Sequence, residues 1–438
     1  NYPEGIEIKN CLWYLNGESF DDSGSELTGF DPTQASSLKV DGTNVISCFA
    51  SVGEKLYLCE FNFTFLTPTR SAAVWFSGEE YNYSMKQIYG YTDSTAKESI
   101  IKENLTSKYY CFDKNYNLWT AIPGNALTLN KYSMKVSTGS YSTTPDLTKQ
   151  LSEITSLSDM YYDCVNEYIY LLVEGDSAVS VYAVSTGAEP AIVASAQIDS
   201  LNLKTTNLTN IAVNGNDFYF ADKFCNVYKA TGTVTSDSIA IKPPTLVKEL
   251  ATSDILEGYD SSKHDDYYDS ISITDLQFGD GLGDGTENVY ALVKETSSSI
   301  GMNSPSTDYF YSRGALVQIN TTNDSIEKFG WTSKQTTLSY TYNGGSYTDY
   351  YYIPDVTDSA NTAFFGPEKF CAVVPKKIVI VDDGFYWKTG DSGDGVIKNK
   401  DSIVEFDIAG PTLARGDSNI SVSFKIGTSS YYNGKTEE

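Results

Sequence analysis

Apolar residues fall along this chain in short alternating runs broken by polar clusters. One stretch reads Ile211-Ala-Val-Asn-Gly-Asn-Asp-Phe-Tyr-Phe-Ala-Asp222 and then Asn226-Val-Tyr-Lys-Ala230. This pattern predicts a strand, an Asn-Gly turn, a second strand, another turn and a third strand. Period-two alternation, β-branched and aromatic enrichment, and Gly, Asn, Asp and Ser between the runs all mark strands joined by tight turns. The same order recurs at 49–58 with 72–76, at 163–172 with 179–184, at 274–278 with 288–293 and 315–319, and at 371–381 with 403–408. A weaker copy spans 109–119. Helical periodicity is scarce; 94–107 and 146–157 are the two segments expected to carry short helices.

Aligning the second strand of each unit gives Tyr57, Trp119, Tyr170, Tyr219, Tyr290 and Val379, separated by 62, 51, 49, 71 and 89 residues. Such gaps suit four-stranded units with insertions, the spacing of β-propeller blades. Stacked sandwiches or a solenoid are the alternatives, but sandwich strands recur every 8–12 residues or so without this longer period. The hydrophobic-x-x-Gly/Asn-x-x-apolar-Tyr strand pair resembles the blades of bacterial NHL- and YVTN-like propellers over about residues 44–409. No Trp-Asp dipeptide, Kelch Gly-Gly or sialidase Asp-box stands at a matching position. The expected fold is all-β: a single β-propeller domain over 1–438, seven-bladed, with six or eight blades as alternatives. Terminal strands at 6–15 and 420–426 would close the ring. Insertions lie near 254–270, 299–311 and 333–362, the last holding an Asn343-Gly344 hairpin turn.

Charge narrows the partners. The 31 basic and 57 acidic side chains among 438 residues leave a net charge of −26, which repels nucleic-acid phosphates and anionic lipid. No apolar run approaches the length of about 18 residues needed to span a bilayer as a helix. A first residue of Asn1 rather than Met suggests a removed leader. With the Tyr-, Ser-, Thr- and Asn-rich composition, it points to an extracytoplasmic protein, secreted or anchored at the cell surface. The seven Cys lack CxxC spacing and mostly sit in apolar runs, where they read as small buried hydrophobes. Oligomeric state is left open.

Candidate chemistry is thin. The single histidine, His264, lies between Lys263 and Asp265 in a polar insertion, which argues against triad, Cys-His and multi-His metal chemistry. Paired carboxylates could serve glycoside hydrolysis, although no local motif singles out a proton donor. The Asp-Gly loops offer hard oxygen ligands through Asp280, Asp284 and Glu287, and through Asp391 and Asp394, so a structural Ca2+ is considered while no cofactor is required. Arg415-Gly416-Asp417 is the tripeptide used by integrin-binding adhesins. Tyr267, Tyr268, Tyr340, Tyr342, Tyr347 and Tyr350 stand in the insertions, and Tyr supplies stiff contact area with a polar tip. The expected function is therefore a non-catalytic binding or scaffolding module that recognises a protein or glycan through aromatic-acidic loops. A carboxylate-dependent carbohydrate-active enzyme is the alternative.

Overall fold

The computed structural model describes residues 9–20, 37, 43–52, 55–64, 72–79, 82–89, 97–105 and 109–415. Within the last span, residues 116, 136–139, 143, 176–177, 254, 257–268, 301–307, 331–332, 343–344, 355–363, 375–376, 383–384, 388–396, 400–401 and 409–411 are excepted. The described residues form strands and turns without a helix, so none offers an apolar helix long enough to cross a membrane. Where helices were expected at 94–107 and 146–157, strands occupy Lys97–Leu105 and Leu147–Leu151.

The chain forms two compact units, Asn1–Ser71 and Ala72–Glu438. In the first, β1 (Lys9–Leu15), β2 (Glu18–Phe20), β3 (Thr43–Val52) and β4 (Lys55–Thr64) make one antiparallel sheet of order β2-β1-β3-β4. Cys11, Cys48 and Ala50 are buried on it, with Trp13 packed beside them. Asn16 closes the β1–β2 turn with φ 51°, and its side chain accepts from Val45 N and donates to Asn44 Oδ1.

The second unit opens with a three-stranded sheet of β5 (Ala72–Glu79), β6 (Asn82–Tyr89) and β7 (Lys97–Leu105). Next come β8 (Tyr109–Phe112), β9 (Leu118–Ile122), β10 (Leu127–Tyr132), a small hairpin of β11 (Met134–Lys135) and β12 (Ser140–Tyr141), and β13 (Leu147–Leu151). Their sheet runs β8-β9-β10-β13. The next is a plain meander of β14 (Asp159–Asp163), β15 (Tyr168–Glu174), β16 (Val179–Ser185) and β17 (Ile192–Gln197). It is followed by β18 (Leu208–Asn214), β19 (Asp217–Asp222) and β20 (Asn226–Val234). Strand β20 pairs along one half with β21 (Ile239–Ile241) and along the other with β22 (Thr245–Glu249).

A further meander comprises β23 (Asp269–Gly279), β24 (Asn288–Ile300), β25 (Asp308–Ile319) and β26 (Ile326–Phe329). The hairpin of β27 (Ser333–Tyr342) and β28 (Gly345–Pro354) stands as its own sheet. The last sheet joins β29 (Pro367–Val374), β30 (Lys377–Asp382), β33 (Ser402–Asp407) and β34 (Thr412–Arg415), interrupted by the hairpin of β31 (Phe385–Trp387) and β32 (Ile397–Asn399). The first strands of successive sheets pack on one another: β8 on β14, β14 on β18, β18 on β23 and β23 on β29. Meanders ranked by their first strands are the blades of a β-propeller.

Blades stack face to face, so a middle strand is covered on both sides and reads as a nearly continuous apolar run. Four consecutive residues of β15, Ile169–Leu172 by sequence, are buried, and so are the last five of β19. One apolar cluster joins the blades of β14, β18 and β23; a second joins those of β8 and β14; a third joins those of β23 and β29. Gly314 permits the closest approach in the last of these. A Cβ there would sit 2.0 Å from Pro367 Cδ.

A turn motif recurs in two of the blades. The Asp113 carboxylate accepts from Asn115 N, Asn117 N, Asn117 Nδ2 and Trp119 Nε1. Asp222 does the same for Phe224 N, Asn226 N, Asn226 Nδ2 and the Tyr228 hydroxyl. The shared pattern is Asp-Lys-x-x-Asn-apolar-Trp/Tyr, in which one buried carboxylate satisfies a whole turn. Asp222→Ala leaves those donors buried and unpaired, and is expected to cost about 3 kcal/mol or more. By contrast Asp237→Ala, at an exposed turn, is expected to stay within about 0.5 kcal/mol. Urea denaturation of both variants measures the difference.

Candidate functional site: a charged hub among the inner strands

The innermost strand of a blade has one edge without a strand partner, so its backbone groups must be satisfied by something else. Here polar side chains from neighbouring blades do this. Asp159 of β14 accepts from Ile211 N on β18 at 3.0 Å, and Asp163 accepts from Gly215 N at 3.2 Å. Asn210 of β18 donates to Thr274 O on β23, and Thr274 Oγ1 donates to Pro367 O on β29. Asp275 of β23 accepts from Phe370 N at 2.9 Å. The Tyr161 hydroxyl accepts from Phe278 N.

Three of these positions are equivalent in register to one another and to Lys369 of β29. Asp159, Asn210, Asp275 and Lys369 lie opposite Leu172, Ala221, Leu292 and Val381, each two residues beyond the aligned second-strand position. Three carry an acid or its amide; the fourth carries a base. Lys369 Nζ lies 2.9 Å from Asp275 Oδ1, 3.7 Å from Asp159 Oδ1 and 5.7 Å from the centre of the Tyr110 ring on β8. Both carboxylates are 5% exposed, whereas the lysine keeps 20% of its side-chain surface.

Burial dominates the protonation of the acids. It lifts Asp159 to about 6, with Lys369 pulling the value down and Asp275 pushing it up. Burial also raises Asp275 against the pull of the same lysine. For Lys369, burial disfavours the ammonium, but Asp275 and Asp159 outweigh it and hold the group above the ordinary lysine value. Beside them, burial and then Asp113 push the Cys111 thiol well up, which keeps it un-ionised. Lys369 is therefore a fixed cation rather than a nucleophile. Asp159, lifted to about 6, titrates near neutral pH. Outside the hub, Lys294 of β24 pairs with Glu368 of β29 and Glu295 of β24 with Arg313 of β25, all four buried.

The expected site residues fall elsewhere. Tyr340 and Tyr342 lie in β27, and Tyr347 and Tyr350 in β28, so they occupy paired strands rather than loops; Tyr340 stands opposite Tyr347 and Thr337 opposite Tyr350. Tyr267, Tyr268, His264, Gly416, Asp417, Asp391 and Asp394 lie outside the described residues, while Arg415 ends β34 opposite Val404. Asp280 accepts from Gly283, Asp284 and Gly285 N–H groups, and Asp284 from Thr286 N. Glu287 accepts from Asn214 Nδ2 on the neighbouring blade. Among the described residues, no three His, Cys, Asp or Glu side chains converge in a way that could hold a metal.

The hub itself was hidden among the 57 acidic residues. A signal exists: Leu157-Ser-Asp159-Met160, Leu208-Thr-Asn210-Ile211 and Ile273-Thr-Asp275-Leu276 share one apolar-Ser/Thr-Asp/Asn-apolar pattern at the start of a blade. Lys369 departs from it, and only the register brings the lysine to the same place.

A family model for the TdpA C-terminal domain matches residues 259–425, less than half of the chain, a span that takes in β23 to β34. No curated protein matches. Among solved structures, a quinonprotein alcohol dehydrogenase-like protein from Bacteroides thetaiotaomicron is 11% identical at TM-score 0.33, over 94% of this chain and 89% of that one. AztD from Citrobacter koseri is 11% identical at TM-score 0.25, over 86% and 96%. The N-terminal domain of Nup159 is 8% identical at TM-score 0.31, over 80% and 75%. Likeness at this level carries no argument about function.

Lys369→Met strands two buried carboxylates, and at pH 7 it is expected to destabilise the protein by about 3–5 kcal/mol. The loss should shrink toward pH 4 as the acids take up protons. Asp159 has a folded value near 6, above its ordinary 3.8. Its contribution is thus fully present below about pH 4 and is lost as pH rises through 6. Asp159→Asn should flatten that part of the stability curve, which urea denaturation from pH 4 to 7.5 measures.

Proposed function

We propose that this protein is an exported, non-catalytic propeller that binds a protein or glycan. The observation that carries this reading is the Lys369 ammonium between Asp159 and Asp275. Two-carboxylate hydrolysis needs the gap between the acids for substrate and water. Here a lysine fills that gap, and the acids' remaining acceptor sites serve backbone N–H groups of Ile211, Leu276 and Phe370. The hub holds blades together, and recognition falls to elements outside them. The hairpin of β27 and β28 suits that role. It forms a separate two-stranded sheet, and its sequence carries tyrosines at 340, 342, 347, 350, 351 and 352. Tyr-rich surfaces bind proteins and sugars with little loss of side-chain entropy.

The carbohydrate-active alternative draws on one specific observation, an acid near pKa 6 beside a second buried carboxylate. A binding screen on arrayed glycans and extracellular-matrix proteins, with turnover followed on the same arrays, separates the two. The expected outcome is saturable binding without turnover, weakened at least about tenfold by a Tyr347→Ser/Tyr350→Ser double variant, as for interface anchors. Glycan cleavage that disappears in Asp159→Asn would establish the enzyme instead. Loss of binding in Asp417→Glu alone would move the contact to the Arg-Gly-Asp segment.

A further inference from the structure

The turn between β23 and β24 is an expanded copy of the one between β8 and β9. Three residues separate Asp113 from Asn117, and seven separate Asp280 from Asn288, after which both chains continue as Asn-apolar-aromatic. In the short turn, the carboxylate of Asp113 holds both the Asn117 amide and the Trp119 indole. In the long turn, Asp280 is drawn off by the N–H groups of Gly283, Asp284 and Gly285. Asn288 and Tyr290 therefore lose the partner that their counterparts keep.

The consequence is a cluster of buried oxygens without hydrogen bonds. Asn288 Oδ1, the Tyr290 hydroxyl and Gln318 Oε1 are each inaccessible and unpartnered. Asn288 and Tyr290 are 0% exposed and Gln318 is 5% exposed. Tyr290 and Gln318 are direct cross-strand neighbours, and Asn288 is two residues from Tyr290, so all three share one face of the sheet. The loop lies directly on them: a Cβ on Gly281 would sit 2.6 Å from the Tyr290 hydroxyl. Burial lifts the phenol to about 12, while Asn288 and the Gly281 backbone, both close to the hydroxyl, pull it the other way.

We propose that this cluster is a binding site for one hard cation, Ca2+. Asn288 Oδ1 and Gln318 Oε1 would be its neutral ligands, and the Asp280 and Asp284 carboxylates of the covering loop would supply charge. Two unpaired buried amide oxygens beside two carboxylates match the all-oxygen preference of Ca2+, whereas either left unpaired costs on its own. The donor set differs from the three loop carboxylates that the sequence suggests, because Glu287 is turned to Asn214. The protein's net charge of −26 favours cation uptake.

The test is calorimetric titration of the chelator-treated full chain with CaCl2, with melting curves in EDTA and in Ca2+. One ion per chain should bind, and Ca2+ should raise the melting temperature. Asn288→Leu and Gln318→Leu should weaken binding about 10–100-fold, as expected for loss of a metal-site partner. Asp284→Asn lies on the exposed turn and keeps the acceptor for Thr286 N, so it should fold normally and also bind more weakly. A melting temperature unchanged between EDTA and Ca2+ overturns the site and leaves a buried water as the partner of these oxygens. An affinity unchanged in all three variants also overturns it, placing the ion elsewhere.

Discussion

The inner edge of each blade is the constraint on which the rest of this structure depends. A propeller covers the faces of its sheets with other sheets, but the first strand of each still presents backbone groups that no strand pairs. This chain answers with side chains reaching from one blade to the next: Asp159 to Ile211, Asp163 to Gly215, Asn210 to Thr274, Asp275 to Phe370. Those acids are then buried, and burial of charge is costly without a counter-ion. Lys369 supplies it, from the position on β29 that is register-equivalent to Asp159, Asn210 and Asp275. The fold and the electrostatics are therefore one problem with one solution.

The same economy shapes the rest of the charged interior. The chain has only three arginines, and Arg313 is buried against Glu295. Lys294 is buried against Glu368, next in sequence to Lys369. Replacing such a buried pair with apolar residues is often neutral in stability, whereas removing one partner alone strands a buried charge. At Gly314 the constraint is steric, since any side chain would push β25 off the Pro367 ring. Lys294–Glu368 and Gly314–Pro367 both join the blade of β23 to that of β29, whereas Arg313–Glu295 ties neighbouring strands within one blade.

Much of the blade plan was legible in the sequence. Tyr170, Tyr219, Tyr290 and Val379 were aligned by pattern alone, and all four stand in second strands at equivalent register. Buried middle strands write themselves plainly, because both faces demand apolar side chains. Edge strands do not. Strand β13, Leu-Thr-Lys-Gln-Leu, alternates half-buried with exposed residues and reads as polar, so 146–157 looked helical. Tyr57 also fell outside the scheme, because its sheet has the order β2-β1-β3-β4 rather than a meander. The hub was less legible for a different reason. Charge pairing depends on which blades adjoin, and local sequence does not encode that. Only the Ser/Thr-Asp/Asn step at Ser158-Asp159, Thr209-Asn210 and Thr274-Asp275 hints at it.

Hydrogen exchange at the inner-strand amides tests the central claim most directly. If Lys369 and its two acids hold the blades together through their centre, the amides of Ile211 and Phe370 exchange among the slowest in the protein. Both then accelerate together in Lys369→Met, while amides in the outer pairing of β20 with β22 keep their wild-type rates. Unchanged protection at Ile211 and Phe370 in that variant would contradict the account, and would show that apolar packing between blades is sufficient.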